Sequence, residues 1–101
     1  MIIFLGVLNA STVRFLTYNL LNYEDENNRE DDYVMILDLV EPDLIIAQEI
    51  IGQTGYSHFQ SDVLDVLELN IWSSAPFTNQ TAQQDIALYY KSDIFTFVGT
   101  T

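Results

Sequence analysis

The chain has no cysteine, a single histidine and three basic residues, and each shortage closes off a class of chemistry. Without cysteine there can be no disulfide and no thiolate metal site. With His58 as the sole histidine, a two-histidine zinc site cannot be built from this sequence. Arg14, Arg29 and Lys91 stand against fifteen Asp and Glu, a formal charge of −12. Non-specific affinity for a phosphate backbone comes from Lys and Arg, so this field repels nucleic acid. Any phosphate substrate therefore needs a bound cation, or basic groups from elsewhere. The plainer use of such a surface is solubility. No apolar run approaches the roughly 20 residues of a membrane-spanning helix, and no internal repeat or interdomain linker is visible.

The composition is nonetheless that of a folded protein. At 49% hydrophobic and 18% charged it is too apolar for intrinsic disorder, and 101 residues fit one small domain or part of a larger one. Met1 to Leu8 is apolar and is followed by Asn9-Ala10-Ser11-Thr12. An apolar core before small residues resembles the end of a secretory signal that lacks its basic flank, and an edge strand is the other reading. The expected division is thus 1–11 as a truncated leader and 12–101 as a partial domain, with secreted or periplasmic placement.

Thr12 to Tyr18 (TVRFLTY) is β-branched and aromatic, a strand closed by Asn19. In Glu24 to Asp32, six of nine residues are acidic. The spacing lacks the alternating ligands, central glycine and closing Glu of a calcium loop, so a solvated approach to a helix N-terminus is expected, with calcium binding as the weaker reading. Asn27 or Asn28 can cap that helix. Tyr33, Ile36, Leu37 and Val40 form its apolar face, and Pro42 ends it at Glu41. Pro42 to Glu49 (PDLIIAQE) reads as a strand covered on both faces. A loop carrying Gly52 and Gly55 follows. Ser57 and Gln60 fit a capping box for a helix over Phe59 to Leu69, with His58 a surface residue in its first turn. Asn70 to Ala75 is a strand, and Phe77 to Gln84 a loop. Asp85 to Lys91 and Ile94 to Val98, joined by Ser92-Asp93, read as an antiparallel hairpin.

Two strand-end residues carry the candidate chemistry. Asn19 and Glu49 close strands flanking one helix, and a right-handed crossover makes those strands neighbours with their ends on one rim. A carboxylate and an amide there offer hard oxygen donors suited to Mg²⁺ or Mn²⁺. Magnesium needs only one or two protein carboxylates and keeps its waters. The alternatives are ordinary: a strand-end Asn often forms a turn, and a strand-end Glu often pairs with a backbone donor or nearby base.

Thr17-Tyr18-Asn19-Leu20-Leu21-Asn22, the downstream Arg29, and Pro42-Asp43-Leu44-Ile45-Ile46-Ala47-Gln48-Glu49 resemble the N-terminal half of the endonuclease/exonuclease/phosphatase superfamily. Ala75-Pro76-Phe77 and Asp85 to Lys91 resemble the strand pair that follows in many secreted bacterial members. The likeness runs from about Val13 to Val98, and its specific part is Pro-Asp, four residues, then Gln-Glu. It implies an α/β fold, the N-terminal half of a four-layer α/β sandwich with a mixed sheet and helices on the outer face. It implies a divalent-metal-dependent phosphoesterase of nuclease type. Glu49 would hold Mg²⁺ or Mn²⁺, Asn19 would serve metal and phosphate, Gln48 would support them, Asp85 would approach a catalytic histidine, and Asp43 would be structural. The substrate would be a phosphate ester, DNA or RNA included, with no membrane and no specific protein partner. The family's second half brings an Asp-x-Asn pair and a terminal Asp-His pair that have no counterpart in these residues. The chain is therefore expected to be an incomplete, poorly active fragment with an uncovered sheet face. The alternative is a non-catalytic acidic binding module that keeps the fold.

Overall fold

The computed structural model describes residues 3–7, 12–24, 28–77 and 85–100. Its elements in chain order are β1 (Ile3–Val7), β2 (Phe15–Tyr23), α1 (Glu30–Val40), β3 (Leu44–Ile50), α2 (Gly52–Phe59), a π-helical turn (Gln60–Leu64), α3 (Asp65–Leu67), β4 (Trp72–Ser74), β5 (Asp85–Lys91) and β6 (Phe95–Thr100). A four-stranded mixed sheet runs β2-β3-β5-β4, and β1 pairs with β6 in a separate two-stranded sheet. The fold is α/β, with helices on one face of the larger sheet and the small sheet packed on part of the other.

The unit that positions everything else is β2–α1–β3. Its two strands pair in parallel, as the sequence pattern predicts, with Phe15 opposite Leu44 and Asn19 opposite Gln48, but β2 does not close at Asn19 as expected: it starts at Phe15 and runs on irregularly to Tyr23. Three acids, Glu30, Asp31 and Asp32, occupy the first turn of α1, where they complement the helix dipole. The expected asparagine cap is not used. Asn27 lies outside the described residues, and the structure starts the helix from Arg29 with no side-chain cap. Arg29 instead turns its guanidinium back onto β2. At the other end Glu41 takes a left-handed conformation (φ 53°), its N–H bonding Leu37 O at 2.9 Å. Pro42 disfavours right-handed helical geometry at that residue, so the chain turns there into β3. The buried face of α1 is Tyr33 and Leu37, with Val34 packed beside them. Ile36, expected inside, is exposed with Met35 and Leu39.

The region after β3 departs most from the pattern. The Gly52–Gly55 loop and the capping box at Ser57 are both overturned, because helix begins at Gly52 and continues through the π turn to Leu67. Phe59, Gln60, Leu64 and Asp65 all keep right-handed helical angles, so the three helical segments form one continuous rod. Gly52 takes a positive φ (65°) where the helix starts, whereas Gly55 is present for contact. A Cβ on Gly55 would lie 2.5 Å from the carbonyl oxygen of Tyr23, so only glycine lets α2 approach β2 this closely. Ser57 sits inside the helix and accepts from Gln53. From the π turn, Gln60 donates to Trp72 O (3.0 Å) and accepts from Ser74 Oγ (3.1 Å), tying the helix to β4.

The expected β5–β6 hairpin is also corrected. β5 pairs antiparallel with β3 on one side and β4 on the other, so neither of its edges is open to β6. After the turn at 92–94, β6 leaves the sheet and pairs with β1. Ile3–Val7, read as leader or edge strand, is therefore a strand here. The expected loop over Phe77 to Gln84 lies largely outside the described residues.

The main core joins Tyr33, Leu37, Phe59, Val63 and Leu64 from the helical layer to Leu20, Tyr23, Ile45, Ala47, Ile50 and Tyr89 from the sheet. Tyr23, Tyr33 and Phe59 meet edge to face with ring centres 5.5–6.0 Å apart, the arrangement aromatic quadrupoles favour. On the opposite face, Leu44 and Tyr90 of the larger sheet pack with Phe95 of β6 and Leu5 of β1. That cover is partial: Phe15 and Ile86 on the same face are each 65% exposed. Among the described residues no helix is long and apolar enough to cross a membrane.

Candidate functional site

The candidate site arises where the regular sheet stops being regular. β2 and β3 stay in register up to Asn19–Gln48 and re-pair at Tyr23–Ile50, leaving three residues of β2 opposite one of β3. On its other side, β3 has two residues between its pairings at Ala47 and Ile50, opposite Ile86 of β5. Both irregularities fall at the same level. Leu21 (φ 57°), Asn22 (φ 59°) and Glu49 (φ 59°) are all left-handed there. For non-glycine residues this costs about 1–2 kcal/mol each, least for Asn, and it persists only where neighbours over-determine the backbone.

The irregularity brings Asn19 and Glu49 together. Asn19 Nδ2 donates to Glu49 Oε2 at 2.5 Å, and its Oδ1 accepts the Leu21 N–H at 2.8 Å. Those two bonds set the amide's orientation, since only its nitrogen can donate to a carboxylate. Asn19 thus acts on the carboxylate as an orienting group, with one lone pair of its own oxygen already engaged. Glu49 is half-buried, and among the described residues its Oε1 accepts no hydrogen bond. The site is a held carboxylate with one oxygen left to solvent.

The other expected residues lie around it unequally. Gln48 is exposed and sits across the ladder from Asn19. Asp85 begins β5 opposite Ile50, one residue from Glu49, so the topology puts it on the same rim. It is only 6% exposed and belongs to the face of Ala87 and Tyr89, which is the helix-covered one. His58 lies in the last turn of α2, not in a first turn as expected, and is half-buried and bonded to Asp62 one turn on (3.2 Å). Of the acidic stretch, residues 25–27 lie outside the described residues.

Could these groups hold a divalent ion? Among the described residues no three His, Asp or Glu side chains converge, so a closed protein cage is absent there. One oriented carboxylate with a neighbouring amide fits Mg²⁺ or Mn²⁺ of the kind that retains water and takes further ligands from a phosphate. The electrostatics agree. Arg14 is committed to Val40 O (2.6 Å), and Lys91 lies between Asp43 (3.8 Å) and Glu68 (3.1 Å). Arg29 holds the carbonyls of Leu20 and Leu21. A phosphate at this rim would have to be neutralised by a bound cation.

Beneath the rim, burial raises the phenols of Tyr18 and Tyr23 above the ordinary tyrosine value, and Glu30, accepting from the Tyr23 hydroxyl at 2.8 Å, adds to the second shift. Both remain neutral donors at physiological pH and are not bases.

At the opposite end of the strands lies a cleft of about 800 Å³ lined in part by Arg14, Asp43, Glu68, Trp72 and Lys91. Asp43 there accepts the Arg14 N–H at 2.8 Å, gives its own N–H to Arg14 O, and receives the Lys91 N–H on its carbonyl. These contacts join the starts of β2 and β3 to the end of β5, which accounts for Asp43 as a structural residue. Sequence reasoning missed two features of the rim that holds Asn19 and Glu49: the left-handed Leu21–Asn22 step, and the carbonyl contacts of Arg29. The only sequence signal for the first was Asn22, a residue tolerant of that conformation. No family model, curated protein or solved structure matches the chain.

Proposed function

We propose that the chain carries the metal-holding part of a divalent-metal-dependent phosphoesterase site, most specifically one for nuclease-type phosphodiester hydrolysis. The observation that supports this most is the Asn19–Glu49 hydrogen bond on a rim where the backbone is held left-handed. Such strain is retained where a side chain must be aimed, and it clusters at functional sites. Glu49 would hold Mg²⁺ or Mn²⁺ through its carboxylate, Asn19 would fix that carboxylate's rotamer, and Gln48 would line the approach. When bound, the ion supplies charge neutralisation for a phosphoryl oxygen. The chain's own part is to orient the carboxylate and keep the flanking backbone from moving.

One carboxylate and one amide do not complete such a reaction, which depends on positioning a nucleophile and stabilising charge together. In this reading Asp85 is a supporting residue, and the other catalytic groups would have to be supplied from outside these residues. The 101-residue chain is expected to bind metal yet hydrolyse slowly or not at all.

The test pairs Mn²⁺ binding to this chain with Mg²⁺-dependent hydrolysis of DNA, RNA and a phosphomonoester by a longer parent. Glu49→Ala is expected to weaken Mn²⁺ about 100-fold and to remove most hydrolysis. Unchanged binding and turnover in that variant would overturn the assignment. The second reading, a non-catalytic acidic binding module, is favoured by the lack of three converging ligands among the described residues. A correctly folded parent that is inert towards all three substrates would select it.

A further inference from the structure

We propose that Arg29 is a positioning residue for the Asn19–Glu49 pair, acting through the backbone of Leu20 and Leu21. This rests on the metal-site reading above and extends it to a residue that touches neither metal nor substrate.

The residues from Asn19 to Tyr23 cannot hold their path by pairing alone, because three of them lie outside the ladder. Two are left-handed, and the Leu20 and Leu21 carbonyls both point to one donor. The Arg29 guanidinium supplies it: one terminal nitrogen donates to Leu20 O and to Leu21 O, each at 2.9 Å. The Tyr33 hydroxyl adds a second bond to Leu20 O at 2.6 Å. Two carbonyl dipoles converging on one point repel each other, and a cation between them removes that repulsion.

The guanidinium is itself fixed. Its central carbon lies 5.8 Å from the Tyr23 ring centre and 5.9 Å from that of Tyr33, within cation–π range of both. Tyr23 is anchored in turn by Glu30. The first turn of α1 therefore grips the exit of β2, and Asn19 stands at the upstream edge of that grip. Its Oδ1 needs the Leu21 N–H in place, and its Nδ2 then reaches Glu49. If the two carbonyls are released, Leu21 and Asn22 relax towards extended geometry, the Leu21 N–H moves, and the carboxylate loses its orienting partner. Lysine would keep the charge but lose the planar group that spans two carbonyls between two rings.

The experiment measures Mn²⁺ affinity of the 101-residue chain by calorimetry, together with the chemical shifts of the Asn19 side-chain amide by NMR. The variants are Arg29→Met, Arg29→Lys, Tyr33→Phe and Glu49→Ala, each checked for fold by circular dichroism. Loss of a group that orients a metal ligand weakens affinity about 10- to 100-fold. Arg29→Met is expected near tenfold, with Arg29→Lys and Tyr33→Phe smaller and in the same direction. In all three the Asn19 amide protons shift towards values for a solvated side chain. If Arg29→Met does not fold, the two conservative variants carry the test. Wild-type affinity and unmoved Asn19 resonances in folded Arg29→Lys and Tyr33→Phe would overturn the proposal and leave Arg29 a purely structural residue. If Glu49→Ala also binds Mn²⁺ like wild type, the metal-site reading fails instead, and the amide shifts still decide whether Arg29 positions Asn19.

Discussion

The two ends of the parallel β2–β3 pair are built on opposite principles. At the end where the strands start, Asp43 ties Arg14 and Lys91 by both main chain and side chain, and the ladder runs in regular register. At the end where they finish, register breaks on both sides of β3 and three non-glycine residues inside the strands are left-handed, whereas the left-handed Glu41 at the first end is the cap of α1. A charged group serves as a knot at the first and is left partly open at the second. Regular pairing satisfies every backbone group but leaves no side chain free to be aimed. The irregular rim gives up part of that satisfaction and gains a held carboxylate facing solvent. Stability and candidate chemistry are thus separated by the length of one strand.

That contrast can be tested by perturbing each rim in turn. The largest effect is expected from Gly55→Ala, because the added Cβ meets the Tyr23 carbonyl at 2.5 Å and Ile50 Cγ2 at 3.1 Å. Overpacking against backbone should destabilise by about 3 kcal/mol in urea titration, and it should weaken Mn²⁺ binding as β2 and β3 are pushed apart. Asp43→Ala attacks the other rim. It removes an acceptor from Arg14 N–H and a partner from Lys91, for a loss of about 1–2 kcal/mol with Mn²⁺ affinity unchanged. A Mn²⁺ affinity that fell with Asp43→Ala would show that the two ends are coupled and break the comparison.

The smallest effect has the opposite sign. Glu49→Gly relieves a left-handed non-glycine residue and should raise stability by about 0.5–1 kcal/mol, while Mn²⁺ binding is lost. A variant both more stable and unable to bind is the signature of strain kept for function. A loss of stability would mean that the carboxylate contributes more through its bond to Asn19 than its backbone costs.

Much of the strand–helix–strand unit was legible because each signal was local. Alternation and β-branching marked the strands, acids marked the start of α1, and Pro42 marked its end. Asn19 and Glu49 could be placed on one rim because a parallel crossover leaves little choice. What failed did so for non-local reasons. Gly52 and Gly55 looked like a loop, since glycine is permissive in sequence terms. Here Gly55 is demanded by the Tyr23 carbonyl, which lies more than thirty residues earlier in the chain. The β5–β6 hairpin was the natural reading of two strands and a short turn. It is ruled out by β3 and β4, which already occupy both edges of β5. Arg29 stood in an acidic run, noted only as one of three basic residues and as part of the family resemblance, and nothing nearby in sequence announced the carbonyls it would bind.

The sequence by itself determined the α/β class and the parallel pairing of the first two strands of the larger sheet, because periodicity, proline and composition act over a few residues. Tertiary structure decided which edges were free, where helix replaced loop, and how the strand-end carboxylate is held. Those depend on steric and hydrogen-bonding partners far away along the chain, and only folding brings them within reach.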